Sequence, residues 1–187
     1  MLTLFVASLL AAATAAPASS PTPVELPSPA RRQELLYEAA RLGRADMIEP
    51  LAKAGVNLDG YDARGFTALI LAAYNGHDET VDALIKAGAD ACRPDETRGN
   101  TAQMGVAFKG DDVLAARLLR TPCGVDVSNK AGQTALMMAA MFGREAQIDM
   151  LLAAGASPDL TDLEGRGAKS IAAMQGHTAI VNKLARR

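Results

Sequence analysis

Two cysteines, two histidines, a group of methionines and several adjacent carboxylates are the residues of this 187-residue chain with chemistry to offer. Cys92 and Cys123 are too few for a four-cysteine zinc site or a disulfide-dense mini-fold, and no Cys-x-x-Cys is present. Met137, Met138 and Met141 carry soft sulfur suited to Cu(I), but successive helix positions do not all face one way, so core packing is the better assignment. The pairs Asp78-Glu79, Asp95-Glu96 and Asp111-Asp112 fall at helix starts or loops, and those at helix starts meet the positive end of the helix dipole. A solvated, helix-stabilising role therefore outweighs general acid and base work. The sequence has no Gly-x-Ser-x-Gly, no phosphate-binding Gly-x-x-x-x-Gly-Lys-Ser/Thr and no His-Glu-x-x-His. No catalytic residue, metal ligand or cofactor is expected.

Charge narrows the partners. Lys and Arg number 19 against 21 Asp and Glu, a formal net charge of −2, so nucleic acid and anionic membrane are poor partners. Aromatics are 4% with no Trp, while 49% of residues are apolar and many are Ala, which favours helices packed closely through small side chains.

The elements that would position any site begin after an unusual leader. Residues 2 to 13 are an uncharged apolar run, followed by Ala13-Thr14-Ala15, a small-x-small pattern of the kind signal peptidase cleaves. The run is shorter than the about 20 residues a bilayer span needs. It predicts a signal peptide over residues 1–15, although no Lys or Arg precedes it. Residues 16–30 hold five of the nine prolines and read as an extended linker.

From Arg31 to Arg187 a period governs the sequence. Ala39-Ala40, Ala72-Ala73, Val106-Ala107, Ala139-Ala140 and Ala172-Ala173 succeed one another at spacings of 33, 34, 33 and 33. Gly43, Gly76, Gly110, Gly143 and Gly176 follow three residues after each pair, and Gly65-Phe66-Thr67, Gly99-Asn100-Thr101 and Gly132-Gln133-Thr134 precede the middle three pairs. Thr67, Thr101 and Thr134 stand where a helix N-cap is needed, and the glycines allow positive φ at helix ends.

At these strings the sequence resembles the ankyrin-repeat family. The resemblance implies an all-α solenoid of about five helix-turn-helix units, over about 33–65, 66–99, 100–132, 133–165 and 166–187, with short β-hairpin fingers. It makes His77 and His177 the structural Gly-His at the start of second helices. Where many ankyrin units read Thr-Pro-Leu-His, this chain has Ile70, Met104 and Met137 at the last position, so apolar packing must replace a histidine network. An extra residue lengthens the finger before Gly99.

Function is then expected in recognition of another protein, by a monomer. In the resemblance the two positions after each small pair project onto a concave face. The candidate protein-binding residues are Arg41, Tyr74, Asn75, Phe108, Lys109, Met141, Phe142 and Met174; packing of these side chains against one another is the alternative. The chain further resembles bacterial periplasmic ankyrin-repeat proteins found beside catalases, through residues 67 to 76 and 99 to 110 and the placement of Cys92 and Cys123. That resemblance implies a periplasmic, non-enzymatic helper of catalase in peroxide resistance. A secreted effector acting on a host or competitor protein is the alternative. In an oxidising compartment Cys92 and Cys123 are expected to form a disulfide, with two separate thiols as the alternative.

Overall fold

The computed structural model describes residues 27–186, so the expected signal peptide and most of the expected linker lie outside the described residues. The described residues form ten α-helices: α1 (Pro29–Leu42), α2 (Ala45–Lys53), α3 (Ala68–Asn75), α4 (Asp78–Ala87), α5 (Ala102–Lys109), α6 (Asp112–Leu118), α7 (Ala135–Met141), α8 (Glu145–Ala153), α9 (Ala168–Met174) and α10 (Thr178–Leu184). Odd-numbered helices pack in one layer, each on the next, and each also packs on the even-numbered helix that follows it. The result is an all-α solenoid of five helix pairs.

Local chemistry sets the helix ends. The hydroxyls of Thr67, Thr101 and Thr134 accept hydrogen bonds from the amides of Ile70, Met104 and Met137, a cap that contributes about 1 kcal/mol each. The first helix departs from the expected boundary: Ser28 Oγ accepts from the Arg31 amide, and α1 starts at Pro29, inside the stretch assigned to the linker. Proline suits a first helical turn because its missing N–H would be unpaired there anyway. At the far end, Gly43 and Gly143 hold φ of 73° and 69°. A Cβ on Gly43 would lie 2.7 Å from His77 Nδ1, and one on Gly143 would lie 2.9 Å from His177 Cε1, so conformation and close approach both demand glycine.

The small pairs let first helices approach each other. Ala39, Ala40, Ala72, Ala73, Val106, Ala107, Ala139 and Ala140 are all buried, whereas in the last unit Ala172 is buried and Ala173 exposed, because no repeat follows to cover it. Ile70, Met104 and Met137 are buried, so apolar packing does fill the consensus histidine position. Buried residues form two clusters that meet in the third unit, where Val106 and Leu114 belong to one and Met104 and Ala107 to the other.

The fingers differ from the β-hairpins expected. Among the described residues they contain only isolated bridges, Ser128 with Thr134 and Thr161 with Gly167. Each finger is too short for a ladder: Asp62 N donates to Phe66 O, Asn129 N to Gln133 O and Asp162 N to Arg166 O. Neighbouring fingers bond to one another instead, through Glu96 N to Gly65 O, Lys130 N to Arg98 O and Leu163 N to Ala131 O. The extra residue sits in the second finger, where Asp95 N reaches one residue further, to Asn100 O.

Candidate protein-binding surface

The face of the first helices brings together some of the expected binding residues and separates others. Tyr74 at the end of α3 stacks on Phe108 at the end of α5, with ring centroids 5.6 Å apart, and Phe108 meets Phe142 edge-on at 4.9 Å. Such pairs add about 0.5–1.5 kcal/mol beyond their buried area. Tyr74 and Phe108 remain 38% and 42% exposed, so the ladder both couples repeats and presents aromatic surface.

Arg41 is not part of the ladder. Its guanidinium reaches Asp62 at 2.6 Å and is held in the first finger. Asn75 Nδ2 donates to the Leu71 carbonyl of its own helix, Lys109 is exposed at the end of α5, and Met174 stands exposed at the last unit. Met141 packs against the second core cluster, and Phe142 occupies the aromatic row in its stead. The sequence signal for this was a constant spacing of 34 from Tyr74 to Phe108 to Phe142, against 33 to Met141.

A row of polar residues, three of them buried carboxylates, supports this face from the fingers. Asp62, Asp95, Asn129 and Asp162 follow one another at 33, 34 and 33, the same period as the small pairs. Asp62 Oδ1 accepts from the Arg64 and Phe66 amides, Asn129 Oδ1 from those of Ala131 and Gln133, and Asp162 Oδ1 from those of Glu164 and Arg166. In the longer second finger Asp95 accepts from the Arg98, Gly99 and Asn100 amides and the Thr97 hydroxyl. Burial pushes the Asp95 carboxyl up, but these donors outweigh it and hold the group below the usual carboxylate range. Asp62 follows the same logic, with burial opposed by the Phe66 amide and the Arg41 guanidinium. At Asp162 the Arg166 amide is the leading cause of the lowered value. Reading Asp95-Glu96 only as a solvated acidic pair missed this role, which the common period would have revealed.

A second row follows the helix-ending glycines: Arg44, His77, Asp111, Arg144 and His177. His77 Nε2 donates to Arg41 O at 2.9 Å, Arg144 to Phe108 O at 2.8 Å, and His177 Nε2 to Met141 O at 3.2 Å. Each donor satisfies a carbonyl at the end of the preceding repeat's first helix. Asp111 cannot donate. Its carboxylate instead caps α6 by accepting from the Leu114 amide.

At that same junction Cys92, in the second finger, and Cys123, after α6, are joined in a disulfide with Cα atoms 5.3 Å apart. Beside it lies a small cavity of about 30 Å³, lined by both cysteines and by Gln103. The Gln103 amide nitrogen and oxygen are buried with no partner among the described residues. Neighbouring repeats carry Leu69 and Leu136 at the matching position. Among the described residues no three His, Cys, Asp or Glu side chains converge on a metal-sized site, and no helix is long and apolar enough to cross a membrane.

Stacked helix pairs, glycine-ended first helices and a periodic finger row define a helical repeat solenoid. The chain belongs to the ankyrin-repeat family: residues 8–95 and 103–187 match the family described as Ankyrin repeats (3 copies). Ankyrin-repeat proteins are in general non-catalytic modules that bind other proteins. Among its relatives, Ankyrin repeat domain-containing protein 29 of Danio rerio is 45% identical over 56 residues, covering 29% of this chain and 19% of that protein. Ankyrin repeat and SAM domain-containing protein 6 of Mus musculus is 30% identical over 102 residues, 54% of this chain and 11% of that protein. Inactive serine/threonine-protein kinase TEX14 of Mus musculus is 33% identical over 86 residues, 45% of this chain and 6% of that protein. The chain therefore spans less than one fifth of the length of each of these relatives.

Proposed function

We propose that this protein is an exported interaction module that engages another protein through the face of its first helices, and that its partner is a periplasmic catalase whose action in peroxide resistance it supports. The observation that carries the binding reading is the ladder of Tyr74, Phe108 and Phe142, half-exposed aromatic surface held rigid by stacking between repeats. Rigid aromatics lose little conformational freedom on binding and are the residue types that dominate interface energetics. Export is supported by the apolar run over residues 2 to 13 with its small-x-small ending, and by a cysteine pair suited to an oxidising compartment. The catalase rests on the resemblance at residues 67 to 76 and 99 to 110.

Affinity capture from a periplasmic extract tests the reading. The wild-type chain should retain a catalase, and Tyr74→Ala with Phe108→Ala should lose it while helical content and melting remain nearly unchanged, because exposed truncations cost little stability. Equal capture by the double variant rejects the site, and delivery of the chain into another cell favours the effector alternative. A fusion of residues 1–30 to a reporter active only outside the cytoplasm should give signal; a silent fusion rejects export.

A further inference from the structure

We infer that the first-helix face carries a side-chain pocket, between the second and third repeats, that takes an apolar residue of an acidic peptide segment. The inference rests on the binding reading above and names the chemistry of what is bound. A hollow of about 320 Å³ opens there, lined by Phe66, Ile70 and Tyr74 together with the exposed Arg64 and Arg98. Its existence depends on Gly105. Neighbouring repeats carry Leu71 and Met138 at the matching position, and even a Cβ on Gly105 would lie 3.0 Å from Tyr74 Cδ2. A glycine inside a helix costs about 1 kcal/mol relative to alanine; here it leaves room for the Tyr74 ring and the hollow beside it.

Charge selects the occupant. Helices α3, α5, α7 and α9 contain Lys109 and Lys169 and no Asp or Glu; the first-layer carboxylates Glu34 and Glu38 lie on α1, one repeat before the hollow, and α4 of the other layer has Asp78, Glu79 and Asp82. Arg64 lies over the Phe66 ring at 5.4 Å and keeps most of its side chain exposed, with one long contact of 3.5 Å to Asp62. Arg98 forms no ion pair among the described residues, and its side chain is exposed. The one carboxylate in the hollow, Asp95, is buried and already accepts from three amides and a hydroxyl. Two guanidiniums and two aromatic rings lining one hollow match an apolar side chain flanked by carboxylates, which guanidinium binds in a planar, bidentate manner. A volume of about 320 Å³ sits at the lower limit of small-ligand sites, about 300–1,000 Å³, and fits one side chain with its adjoining backbone.

The test uses the full disulfide-bonded chain and fluorescence anisotropy of a fluorescein-labelled peptide, Gly-Asp-Glu-Phe-Asp-Glu-Gly. Two control peptides replace the Phe by Gly, or every Asp and Glu by Lys. The acidic Phe peptide should bind, more weakly as salt rises, and each control should bind at least about tenfold more weakly. Arg98→Ala should weaken binding about tenfold, as should Gly105→Leu. Because Gly105→Leu presses on Tyr74, the surface variant Arg98→Ala decides the matter where the filled variant melts early. No binding of the acidic peptide, equal binding of the lysine peptide, or unchanged affinity in Arg98→Ala overturns the inference. Capture of a protein partner that depends on Tyr74 and Phe108, together with no binding of the acidic peptide, leaves the binding reading standing and removes this one. The reverse pattern, peptide binding lost in Arg98→Ala with capture indifferent to Tyr74 and Phe108, does the opposite.

Discussion

The junction between the first and second repeats and the junction between the second and third solve the same problem with different chemistry. At the first, His77 donates to Arg41 O, the Asp90 amide donates to Asp59 Oδ1, Tyr61 Oη donates to Pro94 O, and α2 packs closely on α4. At the second, Asp111 replaces the donor, and α4 and α6 pack less closely than α2 and α4. Three other links appear there: the Cys92–Cys123 disulfide, the stacking of Tyr74 on Phe108, and the ion pair of Arg117 with Asp82. A solenoid is held by nearest-neighbour interfaces alone, so a weakness at one junction has to be offset at that junction. The junction that lost its hydrogen-bond donor carries the covalent link and the candidate pocket.

The largest expected effect comes from breaking that link. Cys92→Ser with Cys123→Ser opens a loop of sequence separation 31 and should cost about 3.5–4 kcal/mol on the chain-entropy argument, lowering the melting temperature by about 10 °C. Amide hydrogen exchange should accelerate most in the second and third repeats and least in the first. Uniform acceleration across all five would show that the junctions are not independent.

Next in size is the finger carboxylate. Asp95→Ala leaves several buried amides without an acceptor and should cost about 2–3 kcal/mol by denaturant unfolding. Asp95→Asn should cost less, since Asn129 performs the same task in the next finger. The pH dependence separates the two states of the residue. Folded Asp62, Asp95 and Asp162 have lowered values, so their stabilisation is complete above the unfolded value of about 3.9 and is lost as pH falls through the folded values. Wild-type melting should fall on acidification below about pH 4, and the Asp95→Asn variant should fall less.

A smaller and opposite effect is expected from Gln103→Leu. Replacing an unpartnered buried amide with the residue found at the matching positions Leu69 and Leu136 should raise stability by about 1–2 kcal/mol. A loss would mean that the amide is satisfied within the adjoining cavity. Last, His77→Ala should remove one interrepeat hydrogen bond and cost about 1 kcal/mol, with early exchange confined to the first junction. Asp111→Ala should cost about as much by losing the α6 cap, yet leave the disulfide-linked contact between repeats in place.

Much of this architecture was written locally. Thr67, Thr101 and Thr134 cap helices because a hydroxyl three residues before an amide reaches it in any extended-to-helical transition. Gly43 and Gly143 end helices because few other residues hold positive φ. Those preferences act over a single turn, so the period of the small pairs exposed them along with the five units. The expected hairpins shrank to tight turns because their backbone groups bond to the next finger, a partner about one repeat away in sequence. The same distance separated Asp95 from its role until its amide donors folded around it.

The sequence by itself determined the repeat and the threonine caps and glycine ends of its inner first helices. Only the tertiary structure decided that Arg41 leaves the aromatic row for Asp62, that Cys92 and Cys123 come within bonding reach, and that Gly105 leaves a hollow against Tyr74. Each of those depends on how helices and fingers are placed on one another. That geometry is fixed by the summed packing of many side chains, not by the spacing of any few.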